Sequence, residues 1–559
     1  MDWQRSLLIS AMLVVVYMLF LEWNTFQEAH APVVDSATVE KTIIPELPEA
    51  TAVSAVTDIG DLPEIIDESS SPVPEVTNAV NTRLVKVSTD VLTVLIDTQG
   101  GDIVRVDLPK HLTELGEGST PFILLNRTSS TTYIAQSGLV GANGTDTKAG
   151  RPLFSVDADQ YQLQDGQDSL TVNLTLRQGE VLITKRFTFK RADYLVELAY
   201  HVDNQSSNPW KASLFGQIKR DSHNPTVGNS MGMAPFLGAA LTSNDENYKK
   251  LDFEDIEDET FKETVTGGWV AMVQHYFISA WVPDQSISNT FNLRKLGSQD
   301  LYMLGFTSPQ VTVEPGENGE LKAAFYAGPK DQYRLEKISP YLDLTVDYGL
   351  LWWIAKPLFW VLYQLHMVLG NWGWSIIFLT VMIKAAFFRL SATSYRSMAN
   401  MRKLQPEMAR LKDLYGDDRQ KMSQETMSLY KKEKVNPMGG CLPILVQMPV
   451  FMALYWVLLE SVELRHSPWI LWISDLSVKD PFFVLPLIMG VSMFVQQRLN
   501  PTPPDPMQAK VMQIMPIAFT FFFMFFPAGL VLYWTVNNGL SIIQQWLITR
   551  KIEGAGVKK

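Results

Sequence analysis

A lysine at position 384 lies where an ionised side chain is costly. The surrounding stretch, W-G-W-S-I-I-F-L-T-V-M-I-K-A-A-F-F-R-L from Trp372 to Leu390, has the apolar composition of a membrane-spanning helix. Lys384 follows Trp372 by twelve residues, which is about 18 Å along a helix and inside a hydrocarbon layer about 30 Å thick. A lysine at that depth costs about 2.5 to 3.5 kcal/mol. We therefore expect Lys384 to face a wet cavity or to serve a bound partner.

The predicted spans offer Lys384 no counter-ion of their own. The nearest acidic candidates, Glu460 and Glu463, fall at the opposite end of their helix. A membrane-buried cation without a partner indicates a polar cavity, or a negative charge that arrives with another molecule. A proton relay would need Asp, Glu or His within the spans. The predicted spans contain none of these at the depth of Lys384, which disfavours an ion-coupled transporter.

Two further groups of span residues admit a plain structural interpretation. Polar residues such as Thr380 and Gln447 could simply hydrogen-bond one helix to another. A second group is rich in methionine and aromatic residues, for which packing or lipid contact is the default. Methionine and phenylalanine also form an adaptable surface for varied apolar segments. Its members are Met448, Phe451, Met452, Met489, Met493, Phe519, Phe521, Phe522, Phe523, Met524, Phe525, Phe526, Tyr533 and Trp534.

The hydropathy pattern predicts six membrane spans with both termini in the cytoplasm. Residues 1–23 are predicted to form a retained signal anchor, because the apolar run after Arg5 lacks a good cleavage context. Residues 341–370 are predicted to form an amphipathic helix in the outer interface, since another span would place the basic loop outside. The core, residues 371–548, has predicted spans at about 372–390, 442–459, 482–495, 511–526 and 529–548, and a basic cytoplasmic tail follows at 549–559.

A basic segment between the first two core spans is predicted to form a cytoplasmic helical hairpin over residues 392–434. From Arg396 to Lys434 it has ten Lys and Arg against six acidic residues, an excess of +4. Apolar residues recur every three or four positions, and G-D-D at Gly416 interrupts them. Basic loops stay on the cytoplasmic side of a membrane.

The polar half of the chain contains two predicted parts. Residues 24–81, rich in Pro, Glu, Asp and Ser, are predicted to be a disordered acidic tether. Residues 82–340 alternate apolar and polar side chains in short runs, which predicts a large β-sandwich; Val91–Asp97 and Asp102–Asp107 form its clearest hairpin. No nucleophile motif, phosphate loop or metal-ligand spacing occurs, and the single cysteine excludes an intramolecular disulfide. No catalytic residue, cofactor or metal is therefore predicted.

Five motifs resemble the YidC/Oxa/Alb family of membrane protein insertases. They are G-N-W-G-W-S-I-I at 370–377, S-M-A-N-M-R-K-L-Q-P at 397–406, K-V-N-P-M-G-G-C-L-P at 434–443, Q-M-P-V-F at 447–451 and F-P-A-G-L-V-L-Y-W at 526–534. The resemblance covers the whole chain and is to the Gram-negative type, which has a large periplasmic domain.

The resemblance implies an α-helical polytopic membrane protein with a five-helix core around a hydrophilic groove. It also implies an all-β periplasmic supersandwich similar to sugar mutarotases. Lys384 occupies the position of a groove cation that is arginine in many members. Five residues match positions that contact substrate in the family, and Gln447 and Tyr533 join them as hypotheses. The matching residues are Thr380, Phe451, Met489, Phe522 and Trp534.

The implied function is insertion and folding of nascent membrane proteins in the bacterial inner membrane, which is not an enzymatic reaction. Expected partners are nascent membrane proteins, the lipid bilayer, the Sec translocon (SecYEG and SecDF), and the ribosome or signal-recognition machinery at the hairpin. No nucleic acid sequence recognition is expected. Two alternatives remain open: an anion-binding transporter or channel built on Lys384, and carbohydrate binding or mutarotase-like chemistry in the periplasmic domain.

Overall fold

The computed structural model describes residues 62–63, 83–116, 118–224, 235–415, 418–433, 442–500 and 506–556. The predicted signal anchor, 1–23, lies outside these residues. So does the predicted tether, 24–81, except for Leu62 and Pro63.

Short strands with alternating burial form the first large region. Along Val181–Lys190, for example, every second side chain is buried, as expected for a strand with one face on a core. Within the described residues the strands are β1 (Leu84–Ser88), β2 (Thr93–Asp97), β3 (Asp102–Leu112), β4 (Pro121–Arg127), β5 (Thr132–Val140), β6 (Ser155–Val156), β7 (Gln160–Gln162), β8 (Ser169–Gln178), β9 (Val181–Lys190), β10 (Leu195–Asn204), β11 (Trp210–Arg220), β12 (Gly238–Leu241), β13 (Lys249–Leu251), β14 (Phe261–Thr266), β15 (Val270–Val273), β16 (Phe277–Pro283), β17 (Ser288–Lys295), β18 (Tyr302–Thr307), β19 (Val311–Val313) and β20 (Asn318–Pro329).

The strands pair into two sheets that enclose one apolar core. The larger sheet has the order β14-β17-β18-β11-β5-β4-β3-β2-β1-β7, with β19 paired to β11. The smaller sheet has the order β13-β12-β15-β16-β20-β10-β9-β8-β6. Trp281 of the smaller sheet and Phe306 of the larger sheet belong to the shared core. The predicted large β-sandwich is confirmed, as is the hairpin of β2 and β3.

Helices dominate the chain after the sandwich. The described helices are α1 (Phe253–Asp258), α2 (Gln332–Ile338), α3 (Trp352–Leu369), α4 (Trp372–Ala386), α5 (Phe388–Lys403), α6 (Gln405–Tyr415), α7 (Arg419–Lys432), α8 (Leu442–Glu460), α9 (Val484–Leu499), α10 (Pro506–Phe523) and α11 (Ala528–Gly556). Helices α6 and α7 pack against each other as a hairpin within the predicted segment 392–434, whereas residues 392–403 of that segment belong to α5. The F-P-A-G motif separates α10 from α11, as predicted.

The predicted first core span is wrong in one respect. The stretch 372–390 is not one helix, because the chain breaks at Phe387, whose backbone has φ −90° and ψ 10°. Helix α5 then continues at 67° to α4 and already contains Arg389 and Leu390. Of the described helices, none alone combines the length and apolar composition of a membrane span. The bent pair of α4 and α5 meets that test jointly, and Val446–Glu460, Val484–Leu499 and Ala509–Phe523 are shorter apolar helices.

A buried ion pair joins the sandwich to the helices. Lys330, just after β20, donates to Glu460 at the end of α8 with an Nζ–Oε2 distance of 2.6 Å, and their side chains are 2% and 3% exposed. Beside it, His275 Nε2 donates to the carbonyl of Leu459 at 2.9 Å. Burial, with a smaller contribution from the charge of Lys330, lowers the pKa of His275 to about 3. Glu460 is therefore committed to Lys330 and not to Lys384.

Candidate functional site

Three helices converge on Lys384. The residue lies in the last turn of α4, and its side chain is only 7% exposed. Its Nζ donates to Ser541 Oγ on α11 at 2.7 Å and to Gln447 Oε1 on α8 at 3.5 Å. The ammonium is thus held between helices and does not extend to the protein surface.

The charge of Lys384 has no acidic partner among the described residues. No carboxylate oxygen of those residues lies within 4.0 Å of its Nζ. An ammonium has three N–H donors, and the two acceptors given above, Ser541 and Gln447, are both uncharged. One donor therefore stays available, and the positive charge is uncompensated by the part of the chain that the structure describes.

A polar stripe on α11 forms one wall of this site. Asn537, Asn538, Ser541, Gln544 and Gln545 recur at intervals of three and four, which places them on one helix face. Ser541 accepts from Lys384 and donates to the carbonyl of Asn537 at 2.7 Å. Ser541 was not among the site residues predicted from the sequence. The spacing of three and four residues between polar side chains of α11 is the sequence signal that could have identified it.

Two further donors in the site lack acceptors. Gln447 Nε2 and Trp534 Nε1 are buried atoms without a hydrogen-bond partner among the described residues. Trp534 precedes Ser541 by seven residues on α11, or about 10 Å along the helix axis. The unpaired donors therefore lie at two levels along α11, one near Ser541 and one near Trp534. An occupant rich in carbonyl or carboxylate oxygens would satisfy both of them, together with the remaining proton of Lys384.

Aromatic side chains line the part of the site around Trp534. The ring of Phe451 on α8 meets Trp534 edge to face at a centroid distance of 4.6 Å and stacks on Tyr533 at 6.2 Å. Phe522, near the end of α10, packs on Phe526 at 4.6 Å. The structure thus brings Phe451, Tyr533 and Trp534 together, and places Phe522 in an adjoining aromatic cluster.

The predicted contact residues differ in accessibility. Thr380, Met489 and Tyr533 are buried in the helix core, and the Thr380 hydroxyl already donates to the carbonyl of Ile376 at 2.7 Å. Gln447, Phe451, Phe522 and Trp534 are only partly buried. The second group could touch a bound segment as the helices stand, whereas the first group requires helices to separate.

The outer surface of the helices is apolar to an extent unusual for a protein in water. Large apolar side chains that are exposed in the described residues occur on α4, α9, α10 and α11. They are Trp374, Phe378, Val381, Met382, Leu487, Ile488, Val491, Phe494, Val495, Ile514, Ile517, Phe521, Ile543, Trp546 and Leu547. Contiguous exposed apolar surface of this kind marks a face in contact with lipid or with other proteins.

An apolar exterior around an uncompensated interior cation defines a class: a membrane protein with a polar site between its helices. Comparison with known families agrees. Residues 84–361 match the family model described as the YidC periplasmic domain, and residues 364–555 match the model described as 60Kd inner membrane protein. The chain belongs to the YidC family of membrane protein insertases, and the resemblance found in the sequence is confirmed.

Relatives that bear the name membrane protein insertase YidC match over the full length. The protein of Cellvibrio japonicus is 56% identical and that of Stutzerimonas stutzeri 53% identical, each over 100% of both chains. These relatives carry the name of an insertase and not that of an enzyme or an anion transporter.

Two solved structures are also similar. A crystal structure of active YidC insertase with its first transmembrane domain resolved is 19% identical, with a TM-score of 0.37, over 83% of this chain and 92% of that chain. A galactose mutarotase-like protein from Lactobacillus casei is 12% identical, with a TM-score of 0.31, over 44% of this chain and 99% of that chain.

Proposed function

We propose that this chain inserts nascent membrane proteins into the inner membrane through the Lys384 groove. We define the groove as Lys384, Gln447, Phe451, Trp534 and Ser541. The observation that carries the proposal is the environment of Lys384: a buried ammonium whose partners, among the residues that the structure describes, are a hydroxyl and an amide oxygen. The missing counter-charge is supplied by the cargo.

The groove cation lowers the cost of moving a polar tail into the membrane. Two unit charges 4 Å apart attract by about 4 kcal/mol at an effective dielectric constant of 20, so an acidic residue of the tail is held at Lys384. An inside-negative potential adds about 2.3 kcal/mol per charge per 100 mV for outward movement. No covalent bond forms or breaks.

The aromatic wall serves the apolar segment that follows the tail. Phe451 and Trp534 are partly exposed and lie next to the polar end of the groove. An apolar segment slides along these rings into lipid, and its burial releases about 25 cal/mol per Å² of apolar surface. That free energy pulls the tail across.

Six spans with both termini in the cytoplasm and the sandwich in the periplasm complete the proposal. The apolar exterior of α4, α9, α10 and α11 supports membrane embedding. Helix α3 supports an interfacial position, because Phe359 and Leu362 pack inward while Trp353 and Trp360 are exposed. The basic hairpin of α6 and α7 suits contact with a ribosome, signal-recognition machinery or cytoplasmic lipid headgroups, and the Sec translocon is a proposed membrane partner.

Site-specific photocrosslinking to a stalled nascent membrane protein tests the groove. A photoreactive amino acid replaces Gln447 or Phe451 in the groove, and Val491, which is 65% exposed on the outer face of α9, in a matched control. Strong crosslinks from both groove positions and weak ones from position 491 are expected. Equal crosslinking from all three positions would contradict a groove route, although insertion itself could still be measured separately.

A further inference from the structure

The outer face of the larger sheet carries a polar cleft that the insertion mechanism does not use. Strand register aligns Gln217 of β11, Gly305 of β18 and Asn292 of β17 in one row. The next row on the same face contains Met303 and Arg294. This face is turned away from the core, because a Cβ on the adjacent Gly216 would meet core residues Phe306 and Trp281.

Gly305 forms the floor of the cleft. A side chain there would collide with Gln217, since an added Cβ would lie 2.5 Å from the Cβ of that residue. The missing side chain leaves a small cavity of about 20 Å³. Its lining residues are Pro63, Gln217, Asn292, Arg294, Met303, Gly305, Phe306 and Thr307.

Two of the described residues come from the predicted tether and occupy this cleft. Arg294 Nη2 donates to the carbonyl of Leu62 at 3.0 Å, and Pro63 lines the cavity. Chain connectivity does not force this placement. Strand β18 lies six strand positions from β1, where the sandwich begins, about 29 Å away. The nineteen residues between Pro63 and Arg83 can reach up to about 65 Å.

The chemistry of the cleft suits a peptide backbone. Arg294 supplies a charged donor for a carbonyl, and the Asn292 Oδ1 atom is a buried acceptor without a partner among the described residues. The eight lining residues include no His or Glu that could act as an acid or base on a sugar.

We propose that this cleft, defined by Gln217, Asn292, Arg294, Met303 and Gly305, is a binding site for a proline-containing peptide. The chain's own Leu62–Pro63 segment occupies it. The contact leaves 38 residues, 24–61, between the predicted signal anchor and the cleft, against 58 residues between that anchor and the predicted start of the sandwich. The longest distance that this stretch could span falls from about 200 Å to about 130 Å. The site is independent of the Lys384 groove, so either proposal can fail alone.

Proteolysis after glutamate tests the contact on the full-length chain in detergent. Glu64 directly follows the bound segment, and Glu40 in the same tether, which has no adjacent proline, provides an internal reference. Each cleavage rate is normalised to the same site in a synthetic peptide spanning 34–70. Cleavage after Glu64 is expected to be about tenfold slower than after Glu40, the ratio that corresponds to about 1.4 kcal/mol. Arg294→Ala should bring the ratio close to one, and Arg294→Lys should retain part of the protection.

Arg105→Ala is the matched control, because Arg105 belongs to the same sheet but pairs with Asp107 at 2.9 Å away from the cleft. It should leave the ratio unchanged. Equal normalised rates at Glu64 and Glu40 in the unaltered chain would overturn the proposal.

A cysteine pair gives a second measurement that does not depend on the folding of Arg294→Ala. In a Cys441→Ser background, Leu62→Cys with Met303→Cys, which keeps Pro63, should form a disulfide, detected by mass spectrometry of the linked peptides. Val39→Cys with Met303→Cys should form it at least about tenfold more slowly. Loop closure alone would give the two pairs similar rates, because its entropy changes only slowly with loop length. Similar rates for the two pairs would also overturn the proposal.

Discussion

Replacing Lys384 by methionine separates the charge of the groove from its packing. Methionine is also long and unbranched, but it cannot donate to Ser541 or Gln447. Losing the 2.7 Å bond to Ser541 costs about 1.5 to 3 kcal/mol because its donor is charged, and the 3.5 Å contact with Gln447 adds little, while removing an intramembrane lysine recovers about 2.5 to 3.5 kcal/mol. Lys384→Met should therefore fold with unchanged or slightly increased stability.

The same change should slow the insertion of acidic tails. The attraction between a tail carboxylate and Lys384 is at most about 4 kcal/mol at 4 Å. If desolvation and residual water cancel half of it, about 2 kcal/mol remains, equivalent to about a thirtyfold change in rate. A tail without acidic residues makes no such contact, so its insertion should be unaffected.

The assay uses the full chain in vesicles and single-span clients whose tails carry no, one or two acidic residues. Protection of the tail from added protease measures its translocation. Lys384→Met and Lys384→Ala should lose the dependence on tail charge, whereas Lys384→Arg should keep it because the positive charge remains.

Equal rates for acidic tails with the unaltered chain and Lys384→Met would refute the electrostatic reasoning. An equal decrease in the translocation rate of all three tails with Lys384→Met, at unchanged stability, would refute it as well. That result would indicate a role for Lys384 other than charge recognition. Thermal unfolding of each variant provides the required stability control.

Three other perturbations address the fold that supports the groove. Lys330→Met should destabilise the joint between sandwich and helices by about 3 to 5 kcal/mol, because Glu460 is left buried and unpaired; the double replacement of Lys330 and Glu460 by methionine should restore most of the stability in denaturant unfolding. Stability should also fall as pH drops from about 6.5 towards 3, because burial lowers the pKa of His275 to about 3 and the unfolded chain then binds the extra proton. The free energy of unfolding should change by up to about 1.4 kcal/mol per pH unit because of His275. His275→Gln should remove this part of the pH dependence, and a variant with the same pH profile as the unaltered chain would contradict the assignment to His275. Gly490→Ala should loosen the packing of α9 on α10, since the added Cβ would lie 1.9 Å from the Thr520 hydroxyl oxygen. Its free energy of unfolding should decrease by about 1 to 3 kcal/mol. Gly539→Ala, which has open space at its Cβ, is the control whose free energy of unfolding should not decrease.

Local patterns in the sequence were sufficient for most secondary structure. The alternation in Asp102–Asp107 predicted the first part of β3, and the boundary between the predicted spans 511–526 and 529–548 predicted the break before α11, because strand period and turn chemistry act over a few residues. The error at Phe387 has a related cause. Apolar composition continues from α4 through Phe388, but composition does not show whether a helix continues or bends. Helix α5 turns away where it packs on α11, and this choice depends on distant chain.

The sequence by itself determined that an apolar helix contains an ammonium without a nearby acid. Only the tertiary structure decided which groups hold it: Ser541 and Gln447 are 157 and 63 residues away in the chain. The same is true of Glu460, whose partner Lys330 comes from the sandwich. Periodicity specifies which face of a helix is polar, whereas helix packing specifies what that face meets. The chemistry of the groove therefore follows from three helices whose contacts no local pattern encodes.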